Sequence, residues 1–216
     1  MKKIFIYLIS LFFCFSLITK SEEQSKKTNE YQKIREYIYT ETILEDFETE
    51  TYSNDNLKFM EGGDREGILT ISDNYPAPIN NSKKYLAVRV YAKRGDLFKI
   101  VPAKPIEIMK YCKTISMWVY GEKIAGELSI VLQDSSGINH TLHFGSAASH
   151  GWKKLSKTLG TKIKQHDDYA GSKNSIKILY IQYRAAGRAI YPEWQFFYID
   201  DVTASVRDKY MDRDDW

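Results

Sequence analysis

Short runs of alternating apolar and polar residues, cut at close intervals by turn residues, constrain this chain more than any other feature. Period-two patterning predicts strands at 43–48, 57–60, 68–72, 85–91, 97–101, 114–120, 127–133, 139–144, 152–155, 176–184 and 194–206. Between them, Gly62-Gly63-Asp64, Asp73-Asn74-Tyr75-Pro76-Ala77-Pro78, Arg94-Gly95-Asp96 and Asp134-Ser135-Ser136-Gly137 favour tight reversals. Strands so closely spaced, with no long helix between them, build a sandwich or a barrel. We expect residues 43–206 to form one all-β domain, an antiparallel jelly-roll β-sandwich. Its core should contain Met117, Val119, Leu128, Ile130, Leu132, Ile181 and Val202. No internal repeat or low-complexity segment is present.

The N-terminus reads as a cleaved signal peptide over residues 1–21. Lys2 and Lys3 form a charged start, an apolar run extends from Ile4 to Ile18, and small residues follow at Thr19 and Ser21. The run is short for a membrane anchor. Cys14 is preceded by Phe13, where a lipidation signal has a small residue. Cleavage removes Lys2, Lys3 and Lys20 and no acid, leaving 28 basic residues against 28 acidic ones. A neutral mature chain argues against nucleic acid as the partner. No later apolar run is long enough to span a bilayer, so no membrane association is expected after cleavage. Cys112 would be left alone, so the exported domain must rest on its core and not on a disulfide.

Residues 22–42 read as a polar leader followed by a short amphipathic helix, with Tyr31, Ile34, Tyr37 and Ile38 at helical spacing. Residues 207–216 form a charged tail that ends in Met211 and Trp216.

Little in the chain points to chemistry. There is no Gly-x-Ser-x-Gly elbow, no phosphate-cradling glycine loop and no cysteine pair for zinc. His140 and His143 are three apart, which puts them on opposite faces of a strand. We expect no catalytic residue. Paired acids carry more weight. Glu45, Asp46 and Glu48 lie on the first predicted strand, and Asp200 and Asp201 on the last. Tyr198, Asp200, Val202, Ala204 and Val206 share one face by alternation, so Asp200 should point inward, where a carboxylate needs hydrogen bonds, a basic partner or a cation. Glu48 and Asp200 are therefore candidate ligands for a structural calcium ion; the competing account is a hydrogen-bonded acid. No other cofactor is expected.

The strand faces offer the best clue to function. Ile115, Met117 and Val119 form one stripe and Ser116, Trp118 and Tyr120 the other. Tyr180, Gln182 and Arg184 alternate with Leu179, Ile181 and Tyr183. Trp118, Tyr120, Tyr180 and Arg184 are thus expected on one outer face, with Tyr191, Trp194 and Trp216 as aromatic anchors at its edges. Such a surface reads as a protein interface, a sugar-stacking platform, or a second small core under loops.

Taken in order, the leader, Leu44-Glu45-Asp46-Phe47-Glu48, Ser116-Met117-Trp118-Val119-Tyr120-Gly121, Gly151-Trp152-Lys153-Lys154-Leu155 and Tyr198-Ile199-Asp200-Asp201-Val202 resemble the spirochaete flagellar filament outer-layer (sheath) protein family. The resemblance spans most of residues 43–206. It implies a non-enzymatic structural subunit in the periplasm, coating a flagellar filament and contributing to its stiffness or curvature, and so to motility. The partners it implies are core flagellin, other sheath proteins and copies of the chain itself. The individual motifs are shared with carbohydrate-binding jelly rolls. The alternative is an exported carbohydrate-binding module without a catalytic domain.

Overall fold

The computed structural model describes residues 38–49, 51–60, 66–79, 81–123, 125–166, 174–186 and 191–209. The chain divides into two compact units, residues 1–40 and Glu41–Trp216. Only residues 38–40 of the first unit are described. The leader, most of the expected short amphipathic helix and most of the tail lie outside the described residues.

Among the described residues twelve strands make two layers. In chain order they are β1 Thr40–Glu45, β2 Leu57–Phe59, β3 Glu66–Ser72, β4 Tyr85–Ala92, β5 Leu97–Ile100, β6 Ile106–Ile108, β7 Tyr111–Gly121, β8 Glu127–Gln133, β9 Asn139–Ser146, β10 Lys153–Thr158, β11 Ile176–Arg184 and β12 Glu193–Arg207. The first sheet runs β10-β7-β12-β4-β3, with β1 also beside β12. The second runs β2-β5-β11-β8-β9, with β6 also beside β11. Neighbours along both orders pair antiparallel. The expected two-sheet antiparallel sandwich is the observed fold. All seven expected core residues are buried between the layers. β6 was not foreseen: it is three residues long and follows Pro105, too short to show a period. β1 begins and ends earlier than its pattern suggested, so Asp46 and Glu48 lie in the turn after it.

Four bulges decide which side chains reach the core. In β12, Asp200 pairs with Trp118 and Thr203 with Ser116, so Asp201 and Val202 together oppose Met117. The extra residue, Asp201, has φ of 40°, a left-handed conformation that is costly for a residue with a Cβ. Before the bulge Phe197 and Ile199 face the core; after it Val202, Ala204 and Val206 do. β7 carries an extra Lys113, which turns Cys112 inward. β11 carries an extra Leu179, and β9 an extra Phe144.

Two polar devices secure the sandwich, the first across its layers and the second at an edge of β7. Tyr183 of β11 stacks on Phe197 of β12, with centroids 4.2 Å apart and planes 20° apart. Its hydroxyl donates to Gln195 Oε1 at 2.7 Å and accepts from Gly126 N at 2.6 Å, so a fully buried phenol is satisfied. At the bulge in β7, Gln165 takes the place of a strand. Its Oε1 accepts from Cys112 N at 2.7 Å and its Nε2 donates to Cys112 O at 2.9 Å. Gln165→Ala would leave both backbone groups buried and unpaired, at a cost of about 1–3 kcal/mol. Chemical denaturation should show that loss; an unchanged midpoint and slope would contradict the clamp.

Candidate interaction surfaces

The outer face of the first sheet is largely aromatic. Register across β3, β4, β12 and β7 aligns Thr70, Ala87, Tyr198 and Tyr120 in one row, and Ile68, Arg89 and Phe196 in the next. Glu66, Tyr91 and Trp194 form a third row. Tyr120 and Tyr198 stack at 5.3 Å and 15°. Trp152 reaches in from beside β10, its centroid 5.9 Å from Tyr120 and 5.8 Å from Tyr85, and its Nε1 donates to Tyr75 O at 3.1 Å.

One half of this face is covered. The connection between β3 and β4 folds over the sheet and is held by Asp200. Asp200 Oδ2 accepts from Ala77 N at 3.1 Å and from Ser82 Oγ at 2.8 Å, and Oδ1 accepts from Asp201 N at 2.8 Å. Asp200 is 0% exposed. It is buried as expected but in a different place. It shares the outer face with Tyr198 and Trp118, beneath a loop, and does not point between the sheets. The alternation that suggested otherwise fails because the bulge at Asp201 reverses the faces. Burial, reinforced by the neighbouring Asp201 charge, pushes Asp200 up to about 6, against the hydrogen bonds from Ser82 and Ala77.

Glu48 holds the end of the same loop. Its Oε1 accepts from Lys83 N at 2.5 Å and Lys84 N at 2.9 Å. Nearby, Glu45 accepts from Phe47 N and Tyr52 Oη, both at its own turn. Each of these acids meets N–H and O–H donors where a cation would need bare oxygens. Among the described residues no three His, Cys, Asp or Glu side chains converge to hold a metal. The pair Glu48 and Asp200 fits hydrogen-bonded loop anchors better than calcium ligands.

The other half of the face is open. Ile68, Thr70, Ala87, Arg89, Trp194, Phe196 and Tyr198, with Glu122, line a groove of about 550 Å3. The Arg89 guanidinium lies 4.3 Å from the centre of the Trp194 ring.

The expectation of one shared outer face for Trp118, Tyr120, Tyr180 and Arg184 does not hold. Trp118 and Tyr120 belong to the first sheet and are half-buried. Tyr180 and Arg184 face outward from β11, in the second sheet, on the opposite side of the sandwich. Lys99 Nζ sits 4.6 Å over the Tyr180 ring. Arg184 is exposed beside Glu127, on a groove of about 530 Å3 with Arg94 and Ala185. Tyr191, 79% exposed, precedes β12. Trp194 joins the open half of the first face, and Trp216 lies outside the described residues. Sequence reasoning missed Arg89, Phe196 and Trp152: Phe196 alternates with Trp194 and Tyr198 along β12, cross-strand register brings Arg89 beside Phe196, and Trp152 reaches Tyr198 from just before β10.

Other polar groups are structural. His140 Nε2 meets Asp134 Oδ2 at 2.8 Å, and His143 Nδ1 meets Ser129 Oγ at 3.0 Å, so the two histidines serve different partners. Burial pushes the Cys112 thiol up to about 12, which leaves it a poor nucleophile.

A family model for flagellar filament outer layer proteins, FlaA, matches residues 70–215, from β3 through the last strand and beyond. The chain belongs to the FlaA family. A flagellar filament outer layer-like protein of Brachyspira hyodysenteriae (strain ATCC 49526 / WA1) is 25% identical over 134 residues, and the match covers 61% of each chain. Among solved structures, a family 11 carbohydrate-binding module from Clostridium thermocellum, in complex with a β-1,3-1,4-mixed-linked tetrasaccharide, is 14% identical. That match covers 79% of this chain and 98% of the other, with a TM-score of 0.48. TmCBM61, in complex with β-1,4-galactotriose, is 16% identical over 77% of this chain and 99% of its own, with a TM-score of 0.46. Likeness of this degree carries nothing about what this FlaA chain binds.

The buried Asp200 sets a pH dependence. Its folded pKa lies above the ordinary 3.8, so the folded state holds the proton more tightly than the unfolded state. Its contribution is full below about pH 4 and is lost as pH rises toward 6, at about 1.4 kcal/mol per unit of difference. Asp200→Asn should flatten the melting-temperature profile between pH 4 and 6 relative to the parent chain. Parallel profiles would refute the assignment.

Proposed function

We propose that this FlaA chain is a non-enzymatic subunit of the sheath of a periplasmic flagellar filament. It would be exported through the leader at residues 1–21, cover a flagellin core alongside other sheath proteins and copies of itself, and contribute to filament stiffness or curvature. The match of residues 70–215 to the outer-layer family carries this reading. The surfaces are compatible with it. A sheath subunit touches neighbours on more than one side, and this sandwich has separate aromatic and arginine-bearing patches on its two outer faces.

Tyr191 and Arg184 are the candidate contacts best suited to a test, because both are exposed and support no core packing. Tyr191→Ala and Arg184→Glu should leave the thermal melt unchanged while lowering cofractionation with purified filaments. An interface anchor worth about 2 kcal/mol corresponds to about a thirtyfold loss of affinity. Removing residues 210–216, which include Trp216, should act in the same direction and keeps the Lys110–Asp208 ion pair of 2.9 Å. Trp118 is the remaining candidate contact; it is half-buried beside Asp200, so Trp118→Ala should lower the melting temperature as well as filament occupancy. Parental filament occupancy in all four variants would refute these surfaces as the binding sites.

A further inference from the structure

We propose that the open half of the first sheet's outer face is a binding site for a neutral saccharide chain. This goes beyond the sheath role and does not depend on it. The groove of about 550 Å3 falls in the range of small-ligand sites. Its floor is stepped: Thr70 and Ala87 are small, and Phe196 and Tyr198 beside them are large. Those two rings occupy alternate positions of β12, 5.6 Å apart and inclined by only 22°, and both are half-buried. They make one elongated aromatic ledge against which the C–H face of a pyranose can pack.

A sugar also needs hydrogen-bonding groups around its rim, and the groove supplies both kinds. Arg89 is a donor only and Glu122, ionised, an acceptor only, while the Thr70 hydroxyl, which donates to Ile71 O at 3.2 Å, keeps its acceptor capacity. Among the described residues no carboxylate pairs with Arg89 and no base with Glu122. Arg89 and Glu122, one of each sign, are the charged groups that line the groove, and exposed Glu66 stands in the row at its Trp194 end, so there is no excess positive charge to hold an anion and a hydroxyl-rich neutral ligand is favoured. An extended peptide is a poorer match. It binds through free backbone groups at a sheet edge, and this groove crosses a sheet face, where the β4, β12 and β7 backbones are already paired.

The test is calorimetric titration of the purified protein with β-1,4-glucotetraose, β-1,3-glucotetraose, β-1,4-galactotetraose, β-1,4-xylotetraose and α-1,6-mannotetraose. At least one should bind, with little dependence on salt. Phe196→Ala and Glu122→Gln should each weaken it about tenfold or more; Glu122→Gln should leave the melt unchanged, and Phe196→Ala should lower it while keeping one cooperative transition. Trp194→Phe should retain binding but lose any change in tryptophan fluorescence that the sugar causes. Glycopeptides released from filaments by proteolysis, offered with and without periodate oxidation, distinguish the source. Capture abolished by periodate marks a protein-borne glycan, and binding of the free tetraose alone marks a polysaccharide. Either supports the site. No binding of any tetraose at millimolar concentration together with periodate-insensitive capture, or binding that survives both Phe196→Ala and Glu122→Gln, overturns it. Because filament cofractionation is read separately, failure here leaves the sheath role standing, and failure there leaves this site standing.

Discussion

One extra residue in β12 organises the outer surface of this protein. β12 is central to the first sheet, paired with β7 on one side and with β4 and β1 on the other. Up to Ile199 its odd-numbered residues fill the core. The bulge at Asp201 moves that duty to the even-numbered ones. Without the bulge Val202, Ala204 and Val206 would face solvent, since a slip of one residue inverts every side chain of a strand. Asp200, just before the bulge, is left on the outer face. There it holds the loop that covers half of that face.

The covered and open halves follow from this arrangement. Near Asp200 the β3–β4 connection seals Tyr85 and shelters Trp118, so these aromatics behave as a small second core. Farther along β12, beyond the reach of the loop, Trp194, Phe196 and Tyr198 remain accessible and frame a groove. The division gives one sheet face two jobs. The sealed half contributes stability, and the open half is free to meet a ligand or a neighbour. The second sheet presents a different chemistry outward, with Lys99 over Tyr180 and an exposed Arg184, so the two sides of the subunit are not equivalent. Inequivalent sides suit a subunit in a layer, which has a filament beneath it, neighbours beside it and open space outside.

The layering was legible in the sequence because alternation is strong inside each strand. Met117, Val119, Leu128, Ile130 and Leu132 announce their burial directly. The bulges were not legible. Nothing local in Ile199-Asp200-Asp201-Val202 says that Asp201 takes a left-handed backbone, and Leu179 looks like any strand residue until its partners on β8 are known. For the same reason Trp118 and Tyr180 looked like members of one surface. Alternation assigns a residue to a face but not to a sheet, and strand order across a sandwich comes from long-range pairing. The aromatic groove was hidden in the same way, since Arg89 and Phe196 meet only through the pairing of β4 with β12. Family membership, by contrast, could be read from the order of weak motifs, none of which is specific alone.

The central claim is that this FlaA chain is part of the filament's outer layer. A cryo-electron-microscopy map of native filaments, compared with filaments from cells lacking this chain, tests it most directly. The account predicts density that fits the twelve-strand sandwich outside the flagellin core and is missing from the deletion filaments. Identical maps, with every outer-layer density assigned to other proteins, would contradict it.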